Sequence, residues 1–373
     1  MSSSAGQAVG PPDVVSGGRD ALRRWVYRPE LDGLRALAML AVVAYHYDSE
    51  RFGGGYLGVP VFFVLSGYLI TGLLTAERES KGRVDLLAFY ARRALRLYPA
   101  LLVVVLGALI LAPITGHRGV PTPRLYDAGA ASLLYINDFV LAAGAHLTYW
   151  FDVTWSLGVE EQFYLVWPLI LLFALSRLDA PTVGRCCVAL AIVAGVVDIV
   201  CQPLLGFAAT YYSPIGSAMP LLLGCGISFL PVRLPARSLA RLRGLAAAGC
   251  LALAALVVLA PPLGDPSVWR GPEQITAIAA AAVIYFLAST SGFAVMRSRV
   301  LVWLGRRSYG IYLIHEGVRS AVQNALPHAR GSLVAALGVS GSVALAGLCY
   351  HYVEAPFLRR KRRFARVATV SAA

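Results

Sequence analysis

Charged residues are scarce in this sequence, and one basic residue type is nearly missing. Charged residues make up 14% of the 373 residues, whereas hydrophobic residues make up 58%. Because a soluble domain carries about 25% charged residues, this composition excludes an ordinary soluble protein and indicates a polytopic membrane protein. Only two of the 33 basic residues are lysines, a bias that we attribute to genomic composition.

Several motifs are also missing. The six cysteines fall in or at the edges of apolar segments without metal-ligand spacing, so we interpret them as small buried hydrophobic residues and predict no metal site. We find no internal repeat, no glycine-rich phosphate loop and no cleavable signal peptide before the first apolar segment. The net charge of +13 would suit a nucleic-acid partner, but the positions of the basic residues argue against one.

Apolar segments long enough to form membrane helices recur along the chain. Several are shorter than the ~20 residues that a perpendicular span requires, so their ends are approximate. Residues 131–143 are the candidate for an eleventh, re-entrant element. The ten predicted spans are 34–47, 56–75, 97–115, 156–176, 186–202, 215–231, 244–262, 273–290, 308–325 and 332–352.

These spans predict an all-α fold, a polytopic membrane bundle of about ten transmembrane helices. The bundle occupies residues 28–358. The segment before it, 1–27, is rich in Ser, Gly and Pro and is predicted to be a disordered cytoplasmic tail. The segment after it, 359–373, is predicted to be a basic cytoplasmic tail.

The arginines predict the orientation of the bundle. Placing the N-terminus inside puts 26 of the 33 basic residues on one side of the membrane. Short loops rich in Lys and Arg stay on the cytoplasmic side. We therefore predict that both termini are cytoplasmic, which agrees with an even number of spans.

Arg35 and His46 are ionisable residues in the first apolar span. Eleven residues along a helix amount to three turns plus about 20°, so both side chains project from the same face of the helix. Ionisable groups inside a membrane helix are costly and usually mark a functional site. The alternative is that Arg35 lies at the lipid headgroups and His46 fills a polar niche between helices.

Three arginines crowd one helix turn just before the third span. Arg92 and Arg96 are four residues apart, and Arg93 and Arg96 are three apart, so the side chains are neighbours. Guanidinium groups bind phosphate through two parallel hydrogen bonds. Arginines at a cytoplasmic helix end are also plain determinants of topology, so both interpretations stay open.

Two adjacent carboxylates, Glu160 and Glu161, lie one turn into the fourth span. Acidic residues gain from the dipole at a helix N-terminus, which is the ordinary explanation. Carboxylates inside an apolar span nevertheless need partners. His315 lies within the ninth span, where it either forms a structural hydrogen bond or contacts a substrate.

Together these segments resemble the membrane-bound acyltransferase family 3, over residues 28 to 357. The resemblance implies a multi-pass protein of a bacterial plasma membrane. It also implies transfer of an acyl group, usually acetyl, from a coenzyme A thioester to a hydroxyl. Six segments carry the resemblance in the family's order: RPELDGLRALAMLAVVAYHY, GYLGVPVFFVLSGYLIT, FYARRALRLYPALL, WSLGVEEQFYLVWPL, SYGIYLIHE and YHYVEAPF.

The resemblance also implies roles on the donor side. The family's catalytic Arg and His, with ten residues between them, match Arg35 and His46. Imidazole titrates near neutral pH, so His46 would act as a general base or as an acyl carrier. Arg35 would recognise the anionic donor, acyl-coenzyme A, whose phosphates Arg92, Arg93 and Arg96 would bind.

The remaining assignments concern the reacting centre and the acceptor. We predict Glu161 as a third catalytic residue, by a narrow margin over its neighbour. Substrate contacts are predicted for Glu160, Tyr164, Trp155 and His315. No bound cofactor is expected, since acyl-coenzyme A is a co-substrate.

The acceptor class is left open by the sequence. A glycan, a lipid-linked sugar and a macrolide-like small molecule are all compatible with a membrane O-acyltransferase. The chain ends soon after the tenth span, so we expect the membrane domain to act alone. The alternative is a transporter that uses buried Arg, His and Glu as a proton relay, but paired broken helices and inverted repeats are not found.

Overall fold

The computed structural model describes residues 27–115, 122–145, 148, 150–265, 271–290 and 292–361. No β-strand occurs among these residues, which confirms the predicted all-α class. The two predicted tails lie outside the described residues, except for residue 27 and residues 359–361.

The described chain is a succession of helices joined by short connections. Single turns of 3₁₀-helix occur at Gly55–Leu57, Asp152–Thr154 and Ala294–Arg297, and a π-helical turn occurs at Tyr350–Glu354. The α-helices are α1 (Pro29–Tyr47), α2 (Gly58–Lys81), α3 (Leu86–Thr115), α4 (Thr122–Leu133), α5 (Asn137–Ala142), α6 (Trp155–Arg177), α7 (Ala180–Leu205), α8 (Phe207–Tyr211), α9 (Pro214–Ile227), α10 (Ala236–Leu259), α11 (Pro272–Ser289), α12 (Arg299–Arg306), α13 (Ser308–Ala325), α14 (Gly331–Cys349) and α15 (Ala355–Lys361).

Each of the ten predicted spans falls on one of these helices. In the described residues, seven helical stretches are long and apolar enough to cross a membrane, and the chain is a multi-pass membrane protein. The seven correspond to α2, α3, α6, α7, α10, α11 and α14. Predicted spans on α1, α9 and α13 are not among them, so the number ten stays a prediction.

The candidate eleventh element is interrupted rather than continuous. Residues 131–143 cover the end of α4 and the whole of α5. Tyr135, between these helices, has φ 56°, a left-handed conformation that is unfavourable for residues other than glycine. Two short helices therefore stand where one re-entrant helix was considered.

Helices α2 and α9 cross with their backbones in contact at the centre of the bundle. A Cβ atom at Gly67 of α2 would overlap the backbone oxygen of Leu221, and a Cβ atom at Gly224 of α9 would overlap that of Val64. Small residues permit such close approach between membrane helices, where packing replaces the hydrophobic effect as the driving force. The two glycines thereby fix where α2 and α9 cross.

Large apolar side chains cover the outer surface of the bundle. Leu190, Ile192 and Val193 of α7 are each more than half exposed, and Leu251 of α10 is 74% exposed. A soluble protein rarely exposes apolar patches of this extent. These surfaces fit contact with lipid.

The first helix connects the two ends of the bundle. We call the end at which α1 begins the proximal face, where Gly33 packs against Met296. We call the end at which α1 finishes the distal face, where the Gly54 backbone N–H donates to the Val257 oxygen at 3.1 Å. Tyr27 lies on the proximal face, where burial and a hydrogen bond to Asp32 raise its pKa to about 12.

Candidate functional site

His46 lies in the last turn of α1 and faces α13. Its Nδ1 atom is 2.9 Å from the carbonyl oxygen of Val42 and 3.1 Å from Nε2 of His315. Its Nε2 atom is 3.8 Å from Oε1 of Glu316. The imidazole is only partly buried, with 24% of the side chain exposed, whereas Glu316 is 4% exposed.

The hydrogen bonds around the two imidazoles favour one tautomer of each. His315 Nδ1 is 2.7 Å from the Tyr312 carbonyl oxygen, which only accepts, so this nitrogen carries the proton. Neutral His315 then offers its Nε2 lone pair to Nδ1–H of His46, which also points at Val42. The lone pair of His46 is therefore on Nε2, where it is available to take a proton.

Arg319 fixes the carboxylate beside His46. Its Nε donates to both oxygens of Glu316 at 3.1 Å, and one terminal nitrogen donates at 2.7 Å. The other terminal nitrogen donates to Gln323 at 3.2 Å, which holds the guanidinium in turn. A buried carboxylate is stable only when its charge is paired and its lone pairs are bonded, and Arg319 meets both conditions.

The same groups have the spacing of a cation site. One atom each of His46, His315 and Glu316 could coordinate a cation, and these three atoms all lie within 4.8 Å of one another. Both oxygens of Glu316 already accept bonds from Arg319. The arrangement therefore fits an ion-paired acid–base centre better than a metal centre.

Arg35 is on the same continuous helix as His46, as the spacing predicts. The two residues are separated by about 16 Å along the axis. The Arg35 guanidinium carbon is 5.8 Å from the centroid of the Phe62 ring, and its buried Nε has no hydrogen-bond partner among the described residues. Its charge interacts with those of Arg96 and Glu354.

Arg93 occupies the space between α3 and α6. Its guanidinium stacks on the Tyr164 ring, 3.6 Å from the centroid, and lies 3.9 Å from Oε1 of Glu161. The Tyr164 hydroxyl donates to Glu160 at 2.5 Å, and the Ser66 hydroxyl donates to the same oxygen. The two neighbouring carboxylates therefore have different partners. Glu161 lies beside an arginine, and Glu160 accepts hydrogen bonds from two hydroxyl groups.

The other two predicted donor-site arginines differ from each other. Arg92 donates to Glu77 at 3.2 Å, and Lys81 donates to the same carboxylate at 3.4 Å. Arg96 is half-buried and interacts with the like charges of Arg35 and Arg93. Arg35, Arg93 and Arg96 therefore form one basic cluster, which we call the arginine cluster, while Arg92 is engaged by an acidic partner.

Trp155 belongs to a group of aromatic rings near the distal face. Its indole lies 4.9 Å from the ring of Tyr211, 5.3 Å from that of Tyr212 and 6.1 Å from that of Phe63, between ring centroids. Trp155 is buried. Its predicted contact with a substrate is not tested by these packing contacts.

The structure brings predicted residues together in two places. In the first place, at the end of α1 that lies towards the distal face, His46 contacts His315. In the second place, between α3 and α6, Glu160, Glu161 and Tyr164 surround Arg93. The carboxylate beside His46 is Glu316, to which the sequence interpretation gave no catalytic role. The neighbouring Arg319, three residues away in an apolar span, was the signal that could have singled out Glu316, because such i,i+3 ion pairs inside membranes are rare.

Comparisons with known proteins identify one family. Residues 28–351 match a family model described as an acyltransferase domain. Peptidoglycan O-acetyltransferase of Listeria monocytogenes is 31% identical over 364 residues, covering 91% of this chain and 56% of that protein. A putative peptidoglycan O-acetyltransferase of Bacillus subtilis is 31% identical, covering 88% of this chain and 55% of that protein.

A third relative agrees with these two. An O-acetyltransferase of Staphylococcus aureus is 31% identical over 360 residues, covering 91% of this chain and 58% of that protein. The chain therefore spans little more than half the length of the curated relatives it matches. No solved structure matches it significantly.

Proposed function

The chain belongs to the acyltransferase domain family, and from that premise we propose that it is a membrane O-acyltransferase. It moves an acetyl group from acetyl-coenzyme A to a hydroxyl of a glycan. The observation that supports this most directly is the position of His46, whose partly exposed imidazole has its Nε2 atom 3.8 Å from a buried carboxylate that Arg319 holds in place.

The proposed reaction needs one base and a way to stabilise its charged form. Nε2 of His46 takes the proton of the acceptor hydroxyl while the oxygen attacks the thioester carbonyl. A C–O bond forms, the C–S bond breaks, and the proton passes from the imidazolium to the leaving thiolate. Glu316, 3.8 Å away, stabilises the transient imidazolium.

A two-step route uses the same residues. His46 Nε2 attacks the thioester carbonyl, the C–S bond breaks, and the acyl-imidazolium gives up its Nδ1 proton to the leaving thiolate. The acceptor hydroxyl then attacks the acyl carbon, the N–C bond breaks, and the hydroxyl proton returns to the imidazole. Both routes give the same ester and the same free thiol. They differ in whether an acyl-histidine forms before the acceptor binds.

The arginine cluster is proposed to bind the donor. Guanidinium groups inside an apolar protein require negative partners, and Arg35 carries a buried nitrogen without a hydrogen-bond partner among the described residues. Coenzyme A offers phosphates as those partners. Its thioester arm would then extend along α1 from the cluster to His46, over about 16 Å.

A glycan acceptor is favoured by the relatives. Two of them are named as peptidoglycan O-acetyltransferases, and peptidoglycan carries sugar hydroxyls. The arginines predict that the proximal face is cytoplasmic, the side on which acyl-coenzyme A is available. The distal face, nearer to His46, would then receive the acceptor from outside the cell.

Release of coenzyme A tests the proposal. The purified chain of 373 residues in nanodiscs, supplied with acetyl-coenzyme A and a soluble glycan, should release the thiol and acetylate the sugar, as measured by thiol trapping and mass spectrometry. Wild-type protein that binds neither acetyl-coenzyme A nor the glycan, or that releases no thiol, would reject the acyltransferase and favour the transporter alternative.

A further inference from the structure

We infer that the distal end of the bundle contains a binding subsite for a pyranose ring of the acceptor glycan. It is built from the aromatic rings that adjoin His46 and from the unpaired polar groups of Tyr56, Trp150 and Glu273. This inference rests on the proposed function, because it takes a glycan acceptor as its premise.

A row of aromatic rings leads away from the catalytic imidazole. The Tyr45 ring meets the His46 ring edge-on, with 5.2 Å between centroids, and meets the Tyr56 ring at 5.7 Å. Tyr56 is followed by Tyr211 at 6.0 Å, and Tyr211 by Trp155 at 4.9 Å. Aromatic walls with a few polar groups are typical of small-molecule sites, and the C–H faces of a pyranose pack against such rings.

Three buried polar groups in this region have no partner among the described residues. They are the Tyr56 hydroxyl, the Trp150 Nε1–H and one carboxylate oxygen of Glu273. Tyr56 is 2% exposed and Trp150 is 6% exposed. Because nearly all buried polar groups in proteins are hydrogen-bonded, each unsatisfied group requires an explanation. A ligand rich in hydroxyls would supply the missing donors and acceptors.

The unpaired groups are connected to His46 through two different neighbours, Glu316 on α13 and Tyr45 on α1. Trp150 packs on α13, where a Cβ atom at Gly317 would be 3.0 Å from its ring, and Gly317 directly follows Glu316, the carboxylate beside His46. Glu273 lies near Tyr56, whose ring adjoins that of Tyr45. A sugar held between them would present one hydroxyl to the Nε2 atom of the imidazole.

The charges of this region favour a neutral, hydroxylated ligand over an anionic one. Glu273 and Asp198 are close enough to interact, and Gln274 donates to Asp198 at 2.6 Å. Arg319 is committed to Glu316. A carboxylate that faces a ligand accepts hydrogen bonds from sugar hydroxyls, whereas a phosphate or carboxylate ligand would be repelled.

A binding measurement tests the subsite without requiring turnover. Chitotetraose, a linear chain of four N-acetylglucosamine units, is titrated into the purified full-length chain and followed by calorimetry. Tyr56→Phe and Trp150→Phe each remove one hydrogen-bonding group, and Glu273→Gln removes a charge. We expect the dissociation constant to rise at least about threefold for the neutral groups and about tenfold or more for Glu273.

Tyr285→Phe is the matched control. Its hydroxyl donates to the Pro231 carbonyl at 2.7 Å, away from the distal rings, so sugar binding should be unchanged. Circular dichroism and size-exclusion chromatography confirm that each variant is folded. If Trp150→Phe does not fold, Tyr56→Phe carries the test, because it removes only one oxygen atom.

The outcomes separate the subsite from the proposed function. Wild-type protein that does not bind chitotetraose, or site variants that bind it as the wild type does, would overturn the subsite. Sugar binding that depends on Tyr56 and Glu273, in a chain that releases no coenzyme A, would support the subsite and reject the acyltransferase. Transfer with an unchanged acceptor KM in all three variants would overturn the subsite alone.

Discussion

Glu316 on α13 lies 3.8 Å from the Nε2 atom of His46 on α1, and Arg319 holds its carboxylate through three short contacts. The carboxylate is buried while the imidazole is partly exposed, so the charge is fixed and the base is accessible. A fixed negative charge costs no reorganisation when the imidazole becomes positive. This pair therefore gives the sharpest tests of the proposed chemistry.

Removing the imidazole should abolish transfer. His46→Ala is expected to fold and to bind acetyl-coenzyme A, but to lower kcat by about 10²–10⁴-fold, because the variant lacks the base that the proposed reaction uses. His328→Ala, which removes an exposed histidine near the end of α13, should keep wild-type turnover. A folded His46→Ala protein with near-normal thiol release would contradict the assigned role.

Neutralising the carboxylate should slow the reaction without weakening binding. Glu316→Gln keeps the side-chain shape but loses the charge that stabilises the imidazolium, so kcat should fall by about 10–100-fold. Both KM values should stay within about twofold, since neither substrate binds to this carboxylate in the proposed reaction. A rise in KM at constant kcat would instead place Glu316 in ground-state binding.

Substitutions of the three arginines of α3 should differ in their effect on the donor KM. Arg93→Gln and Arg96→Gln should each raise the donor KM by about tenfold or more, because charge-assisted hydrogen bonds to phosphate contribute about 1.5–3 kcal/mol. Arg92→Gln is the comparison, since Arg92 is not part of the arginine cluster and donates a closer contact to Glu77, at 3.2 Å, than the 3.9 Å between Arg93 and Glu161, so it should have a smaller effect. Donor KM values unchanged from the wild type in all three variants would assign these arginines to membrane orientation alone.

The sequence predicts what lies within one helix better than what lies between helices. The spacing of Arg35 and His46 places both on one helical face, and α1 is continuous from Pro29 to Tyr47, as this required. The partner of His46 could not be predicted in the same way. Glu316 lies on a helix that is distant in sequence, and helical periodicity carries no information about which two faces meet.

The beginning of α3 shows that hydropathy alone does not predict where a helix begins. The span was predicted to begin at residue 97, with a helix turn that carries three arginines just before it, and the helix begins still earlier, at Leu86. Arg92 and Arg93 are accommodated by acidic partners on neighbouring helices, Glu77 and Glu161. Tertiary ion pairs therefore extend a helix beyond the apolar run that predicts it.

The crossing of α2 and α9 should depend on its glycines. Gly67→Ala places a methyl group against the backbone oxygen of Leu221, and overpacking of this kind costs about 1–3 kcal/mol. Gly107→Ala is the control, because a Cβ atom there meets nothing within 4 Å. Thermal denaturation in detergent should show a lower Tm for Gly67→Ala only, and equal Tm values would mean that α2 and α9 can move apart freely.

The predicted orientation can be tested at two exposed loops. Arg51 follows α1 at the distal face, with 80% of its side chain exposed, and the exposed Arg83 precedes α3. With Cys186, an exposed native thiol, replaced by Ser, Arg51→Cys should react with a membrane-impermeant maleimide in intact cells. Arg83→Cys should react only after the membrane is permeabilised, because positive loops stay inside. The reverse labelling pattern would place His46 nearer the cytoplasm, and the acceptor would then have to reach it from the same side as acetyl-coenzyme A.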